Sequence, residues 1–122
     1  MLNALIIEDE TALQFLYKRV LKQENFKIDV AGDGVIAMDY LAETMPDLIL
    51  MDMRMPHASG LDVILYLQEH PDVEKTHVVI ISASQEFQRY VNMLPSAEFM
   101  LKAVQMQKLA EIAERIQQNS MD

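Results

Sequence analysis

The sequence contains no cysteine. This absence excludes a disulfide framework, a thiol nucleophile and a cysteine-based zinc site, and it fits a reducing compartment, so we expect a cytoplasmic protein. The N-terminus also lacks the basic start and the long apolar stretch of a signal peptide. No apolar run approaches the roughly 20 residues that a membrane-spanning helix needs, so we predict no membrane association.

Basic residues are few. Ten Lys and Arg against nineteen Asp and Glu give a formal net charge of −9. Because nucleic-acid binding depends on clustered Lys and Arg that contact phosphates, this balance argues against direct binding of DNA or RNA by this domain. The length of 122 residues, 51% of them hydrophobic, predicts one globular domain over residues 1–122.

Short apolar runs alternate with segments of helical periodicity along the chain. We predict strands at residues 3–7, 26–31, 47–51, 77–81 and 97–101, the second of them more exposed than the others. We predict helices at residues 11–23, 35–43, 60–69, 85–93 and 104–118, the fourth being the weakest. This alternation predicts an α/β fold in three layers, a flavodoxin-like doubly wound parallel sheet of order 2-1-3-4-5 with five helices.

Polar side chains follow four of the predicted strands at the point where each strand ends. Glu8 and Asp9 follow the first strand, and Asp52 follows the third. Ser82 follows the fourth strand and Lys102 the fifth. Because right-handed crossovers place the carboxyl ends of parallel strands at one edge of the sheet, we expect these five side chains to meet there.

Clustered carboxylates repel one another unless a cation neutralises them, and a hard divalent ion with oxygen ligands suits them. The sequence therefore predicts a Mg²⁺ or Mn²⁺ site beside Asp52, to which a backbone carbonyl just after Asp52 could add a ligand. Asp52 can also act as a nucleophile and form an aspartyl phosphate. The cation, the Lys102 ammonium and the Ser82 hydroxyl would then hold the three phosphoryl oxygens.

The order and spacing of these motifs resemble the receiver domain of two-component response regulators. The resemblance covers nearly the whole chain and rests on residues 6–10, the strand-Asp-x-x-Met-Pro element within 48–56, Ser59-Gly60-Leu61, Ser82-Ala83 and Lys102. It implies that the domain takes a phosphoryl group from a sensor histidine kinase or a phosphotransfer protein and controls a downstream target protein or an output domain. It also implies a phosphoprotein switch that catalyses only its own phosphorylation and dephosphorylation, not an enzyme for external substrates.

The resemblance assigns a role to each matching position. Asp52 would be the phosphoacceptor, and Lys102 would contact the phosphate. Glu8 and Asp9 would hold Mg²⁺ together with Asp52 and the backbone carbonyl of Arg54.

Two further positions would form the conformational switch. Ser82 would supply the hydroxyl that swings towards the phosphate, and Phe99 the aromatic ring that rotates with it. Phosphorylation would then favour a state with both side chains turned inward, which remodels the surface of the last helices and the fifth strand.

The sequence departs from the family pattern at Glu8 and Ala103. Glu8 replaces the commoner Asp and is longer. Ala103 follows Lys102 where the family usually has a cis proline; since a cis bond before another residue type costs about 2.5–4 kcal/mol, we expect either a trans peptide with a shifted Lys102 or a strained cis bond. Arg54 and Ser84 lie at positions that influence the lifetime of the phosphoaspartate in the family, and Arg54 could either shield the phosphate or pair with it.

Simpler interpretations exist for single residues. Asp9 and Asp52 could be N-caps of the helices that follow them, and Phe99 could be plain core. For the whole chain, the alternative is a receiver-like module that acts by protein contacts without phosphorylation. We expect a monomer or a weak homodimer through the last helix, and the sequence leaves open whether the domain stands alone or belongs to a longer protein.

Overall fold

A computed structural model gives the fold, and it describes residues 1–55, 57–102 and 106–120. Five strands are formed: β1 (Asn3–Ile7), β2 (Lys27–Ala31), β3 (Leu48–Asp52), β4 (His77–Ser82) and β5 (Ala97–Leu101). Four α-helices are formed: α1 (Thr11–Gln23), α2 (Gly34–Glu43), α3 (Gly60–Gln68) and α4 (Met106–Ser120). Two 3-10 helices, Val73–Lys75 and Gln85–Met93, flank β4.

The strands form one parallel sheet of order β2-β1-β3-β4-β5, as predicted. The register pairs Ile7 with Met51 across β1 and β3, and Asp52 with Ile81 across β3 and β4. Since every neighbouring pair of strands is parallel, all carboxyl ends lie along one edge. This shared edge positions the polar residues that follow the strands.

Side chains of the central strands alternate between two cores, because successive residues of a strand point to opposite faces of the sheet. In β3, Leu48 and Leu50 pack with residues of α1 and α4. Ile49 and Met51 pack with residues of α2 and α3. Both faces of the sheet are therefore covered, which explains why β3 reads as an unbroken apolar run.

Most predicted boundaries hold to within one or two residues. β3 and β4 each extend one residue further than predicted, so that Asp52 and Ser82 are the last residues of their strands. The predicted fourth helix forms at the expected residues but as the 3-10 helix Gln85–Met93, in which no residue is fully buried. The predicted start of the last helix, residues 104–105, lies outside the described residues.

The loop after β3 returns closely to the end of that strand. Ser59 begins α3 with a capping box, in which its hydroxyl accepts from the backbone N–H of Asp62 and the Asp62 side chain accepts from the backbone N–H of Ser59. Gly60, the next residue, lies so near the backbone of Met53 that a Cβ atom would come within 2.8 Å of its Cα. This approach fixes the chain that carries Asp52.

In the described ranges, no helix is long and apolar enough to cross a membrane.

Candidate functional site: an acidic cluster at the carboxyl edge

Three carboxylates meet at the carboxyl edge of the sheet. Glu8 and Asp9 follow β1, Asp52 ends β3, and one carboxylate oxygen from each lies within 4.8 Å of the other two. The side chains of Glu8 and Asp52 are buried, with 1% and 3% of their surface exposed, whereas Asp9 is exposed. The structure thus brings together the three side chains that the sequence predicted for a metal site.

Asp52 is held by two donors. The Lys102 ammonium donates to Oδ2 at 2.8 Å, and the backbone N–H of Arg54 donates to Oδ1 at 3.2 Å. Lys102 is anchored in turn by its backbone N–H, which donates to the carbonyl of Ser82 at 2.8 Å. Lys102 therefore reaches Asp52 from the end of β5. We predicted either a trans Lys102–Ala103 peptide with a shifted Lys102 or a strained cis bond. This prediction concerns Ala103, which lies outside the described residues.

Lys102 is shared among several carboxylates. Its Nζ atom lies 3.7 Å from Oε1 of Glu8 and 4.0 Å from Oε2 of Glu10. Burial alone would lower the pKa of Lys102, but the hydrogen bond to Asp52 and the charges of Asp52 and Glu8 outweigh it and raise that pKa. Lys102 therefore stays an ammonium at neutral pH. Glu10 was not predicted as part of the site, although it belongs to the same acidic triplet as Glu8 and Asp9.

Glu8 has a raised pKa and one carboxylate oxygen without a hydrogen bond among the described residues. Burial raises its pKa from 4.5 to about 7; the backbone N–H of Glu10 opposes this rise, and the neighbouring charge of Asp52 adds to it. Oε2 of Glu8 accepts that N–H at 3.1 Å, but Oε1 is buried without a hydrogen-bond partner among the described residues. A buried carboxylate oxygen without a donor, beside two further carboxylates, suits a hard divalent cation that takes oxygen ligands.

Two successive hydrogen bonds connect Ser82, Ser84 and Glu86 after the end of β4. The Ser82 hydroxyl, 1% exposed, accepts from the backbone N–H of Ser84 at 3.2 Å. The Ser84 hydroxyl accepts from the backbone N–H of Glu86 at 3.3 Å and so caps the 3-10 helix Gln85–Met93. A movement of the Ser82 hydroxyl would therefore alter its hydrogen bond with Ser84, the residue that caps this 3-10 helix.

Phe99 and Arg54 both face the 3-10 helix Gln85–Met93. Phe99 is half-buried and, with Val91 and other residues, lines a cavity of about 370 Å³ between β5 and this helix. The Arg54 guanidinium lies 3.5 Å from the carboxylate of Glu86 and 5.6 Å from the ring centroid of Phe87. Arg54 thus contacts the 3-10 helix through Glu86 and Phe87, and Phe99 lies at an open pocket beside the same helix.

The helix-capping alternative for the two aspartates does not fit the structure. The N-cap of α1 is Glu10, and no side chain caps that helix. The hydrogen bond that Asp52 accepts from Arg54 lies in the loop after β3, several residues before α3 begins. Asp9 and Asp52 are therefore placed by the shared sheet edge and not by helix capping.

Comparisons with known proteins agree with this architecture. A family model described as the response regulator receiver domain matches residues 4–114. The phosphate regulon transcriptional regulatory protein PhoB of Rhizobium meliloti is 32% identical over 81 residues, which are 66% of this chain and 36% of that protein, so the chain spans about a third of its relative.

Solved structures show the same fold. The chemotaxis response regulator CheY4 of Vibrio cholerae superimposes with a TM-score of 0.84 at 17% identity, over 95% of this chain and 98% of that one. The response regulator TrrA of Thermotoga maritima, solved in complex with Mg²⁺-BeF, gives a TM-score of 0.81 at 22% identity, over 95% and 99% of the two chains. With the family model covering nearly its whole length, the chain belongs to the receiver domain family of two-component response regulators.

Proposed function

We propose that Asp52 is the phosphoacceptor of this receiver domain. The observation that carries this proposal is the position of Asp52: it is buried at the carboxyl edge of the sheet, hydrogen-bonded to Lys102 at 2.8 Å and next to Glu8 and Asp9. One carboxylate oxygen of Asp52 attacks the phosphorus of a phosphohistidine or a small acyl phosphate. The new P–O bond forms as the P–N or P–O bond of the donor breaks, and the leaving group takes its electron pair.

Glu8, Asp9, Asp52 and the backbone carbonyl of Arg54 would hold Mg²⁺, or Mn²⁺ in its place. When bound, the cation neutralises the developing phosphoryl charge and orients the oxygens for in-line attack. The fit rests on the oxygen donor set and on the buried Oε1 of Glu8 that accepts no hydrogen bond among the described residues. The similarity to TrrA, which was solved with Mg²⁺-BeF, supports the same choice of metal.

The remaining residues would bind the phosphoryl group or change conformation when it is bound. Lys102 would bind one phosphoryl oxygen and Ser82 another, after its hydroxyl leaves the N–H of Ser84. Phe99 would turn into the space that this movement opens. The capping contact of Ser84, which links Ser82 to the 3-10 helix beside Phe99, supports this coupling.

Arg54 and Ser84 would set the lifetime of the phosphoaspartate. Arg54 contacts Glu86 and Phe87 at the start of the 3-10 helix Gln85–Met93. Loss of the arginine side chain should therefore change the decay rate of the label more than its rate of formation. A decay rate of Arg54→Ala equal to that of the wild type would remove this role.

The phosphodonor would be a sensor histidine kinase or a phosphotransfer protein, and the switched surface would act on a downstream protein or an output domain. We propose that the chemistry is confined to the domain's own phosphorylation and dephosphorylation. The binding-only alternative predicts protein contacts without any transfer of phosphate.

Intact-mass spectrometry after incubation with acetyl phosphate tests the proposal. We expect a labile gain of one phosphoryl group that requires Mg²⁺, disappears with a chelator and is absent in Asp52→Asn. A gain that persists in Asp52→Asn would place the label elsewhere. A folded wild-type protein that gains no mass from either acetyl phosphate or a phosphorylated histidine kinase would favour the binding-only alternative.

A further inference from the structure

Tyr17 carries a buried polar group that the proposed phosphorylation does not use. It lies in the middle of α1, and only 1% of its surface is exposed. Its ring packs in the core between the sheet and the helices α1 and α4. Its hydroxyl has no hydrogen-bond partner among residues 1–55, 57–102 and 106–120. Because buried hydroxyls in native proteins are nearly always paired, this one requires an explanation.

The strand register places the acidic site on the face of the sheet that Tyr17 covers. Ala4 and Ile6 of β1 pack in the same core as Tyr17. Glu8 continues this alternation, since its backbone N–H still donates to the carbonyl of Ala31 in the neighbouring strand. The Glu8 side chain therefore projects to the same side of the sheet as the tyrosine.

The charged groups of the acidic site act on the Tyr17 hydroxyl. Burial raises the pKa of Tyr17 to about 12, and the charge of Glu8 is the next cause, ahead of Lys102 and Asp52. Among the charged groups, Glu8 therefore acts most strongly on the Tyr17 hydroxyl. At neutral pH the Tyr17 hydroxyl is protonated and can donate a hydrogen bond.

The two unpaired atoms are complementary. Oε2 of Glu8 accepts from the backbone N–H of Glu10, whereas Oε1 is buried and accepts no hydrogen bond within the described part of the chain. The Lys102 ammonium is 3.7 Å from Oε1, beyond hydrogen-bond distance, and donates to Asp52 instead. One buried acceptor and one buried donor are thus left over on the same face of the sheet.

We propose that Tyr17 is a positioning residue of the acidic site, whose hydroxyl donates to Oε1 of Glu8 through one buried water. This bond would hold the Glu8 carboxylate in the orientation that a divalent cation needs, as outer partners of metal ligands do. The contact itself is independent of phosphorylation, and its effect on the cation rests on the proposed metal site.

Chemical denaturation of the metal-free protein tests the contact. Tyr17→Phe keeps the packed ring and removes only the hydroxyl, and Tyr66→Phe, a half-buried tyrosine on α3, is the matched control. We expect Tyr17→Phe to lower the stability, and to do so less in a Glu8→Leu background, where the acceptor is gone. An unchanged or increased stability, or an equal loss in both backgrounds, would overturn the proposal, because removal of an unpaired buried hydroxyl does not destabilise.

Mg²⁺ titration tests the effect on the cation. The chain has no tryptophan, so its four tyrosines dominate the near-ultraviolet absorbance. We expect Mg²⁺ to alter this spectrum in the wild type and in Tyr66→Phe but not in Tyr17→Phe. Calorimetry, which needs no tyrosine signal, should show that the affinity of Tyr17→Phe for Mg²⁺ is lower by roughly tenfold. If wild type and Tyr17→Phe have the same affinity for Mg²⁺ and the same stability, the proposed role of Tyr17 is refuted and the proposed metal site is not. A wild type that binds no Mg²⁺ would refute the metal site, and the denaturation experiment would still decide the contact with Glu8.

Discussion

Raising the pH of the metal-free protein should destabilise it through Glu8. The unfolded carboxyl group releases its proton near pH 4.5, whereas burial holds the pKa of the folded group at about 7. Between these two values the folded state binds more protons than the unfolded state. By linkage, the free energy of unfolding must fall as the pH rises through this window, and it must level off above pH 7.

The magnitude follows from the two pKa values. A difference between 4.5 and about 7 corresponds to roughly 3 kcal/mol at about 1.4 kcal/mol for each tenfold change in proton affinity. Glu8→Gln removes this titration and mimics the protonated carboxyl group, because its side-chain oxygen can still accept the N–H of Glu10. At pH 8 we therefore expect Glu8→Gln to be more stable than the metal-free wild type by as much as roughly 3 kcal/mol.

Urea denaturation in the presence of a chelator, repeated between about pH 4.5 and pH 8, measures this difference. Titrating groups outside the acidic site affect both proteins alike, so the difference between the two profiles reports on Glu8 and the groups that its charge acts on. The two profiles should converge at the acid end and separate towards pH 7. Parallel profiles over the whole range would refute the reasoning, because Glu8 would then have the same pKa in the folded and unfolded states.

Three further predictions follow from the site and its supports. Mg²⁺ requires ionised Glu8, so calorimetry should show its affinity falling by up to about tenfold for each pH unit below about 7, and a pH-independent affinity would contradict this. Lys102→Met should cost about 3 kcal/mol in thermal or chemical denaturation, since it leaves the buried charge of Asp52 without its ion pair, and Asp52→Asn in the same chain should recover part of the loss. Gly34→Ala should cost roughly 1–3 kcal/mol, because a Cβ there would lie 2.5 Å from a backbone oxygen, whereas Gly32→Ala, with nothing within 4 Å, should be neutral in the same thermal melts.

The convergence of the site residues was predictable because it depends on topology alone. Once apolar strands alternate with helices, a parallel sheet puts every strand end at one edge, wherever the residues stand in the sequence. Asp52 and Lys102 are 50 residues apart in the chain and 2.8 Å apart in the structure. The exposed character of β2 was predictable for a similar reason, since Lys27 and Asp29 alternate with apolar residues on a strand at the edge of the sheet.

Other features depend on distances that a sequence pattern does not contain. The segment Gln85–Met93 has helical periodicity but forms a 3-10 helix in which no residue is fully buried, so little packing favours the α-helical form. The contacts of Arg54 with Glu86 and Phe87 could not be read from the sequence, because no pattern places these residues beside it. The unpaired hydroxyl of Tyr17 was hidden because a tyrosine at a core position of a helix normally indicates packing.

The charge balance of the site explains how phosphorylation and metal binding can depend on each other. Within the part of the chain that the structure describes, the ammonium of Lys102 is within 4.0 Å of three carboxylates, those of Glu8, Glu10 and Asp52. A single positive charge cannot compensate for all of them, and the raised pKa of Glu8 shows that the repulsion and the burial are not fully offset. A divalent cation would supply the missing positive charge, and a phosphoryl group would then add negative charge that both the cation and Lys102 attract. The imbalance that destabilises the metal-free domain is therefore the same one that would make it bind the cation and, through it, the phosphoryl group.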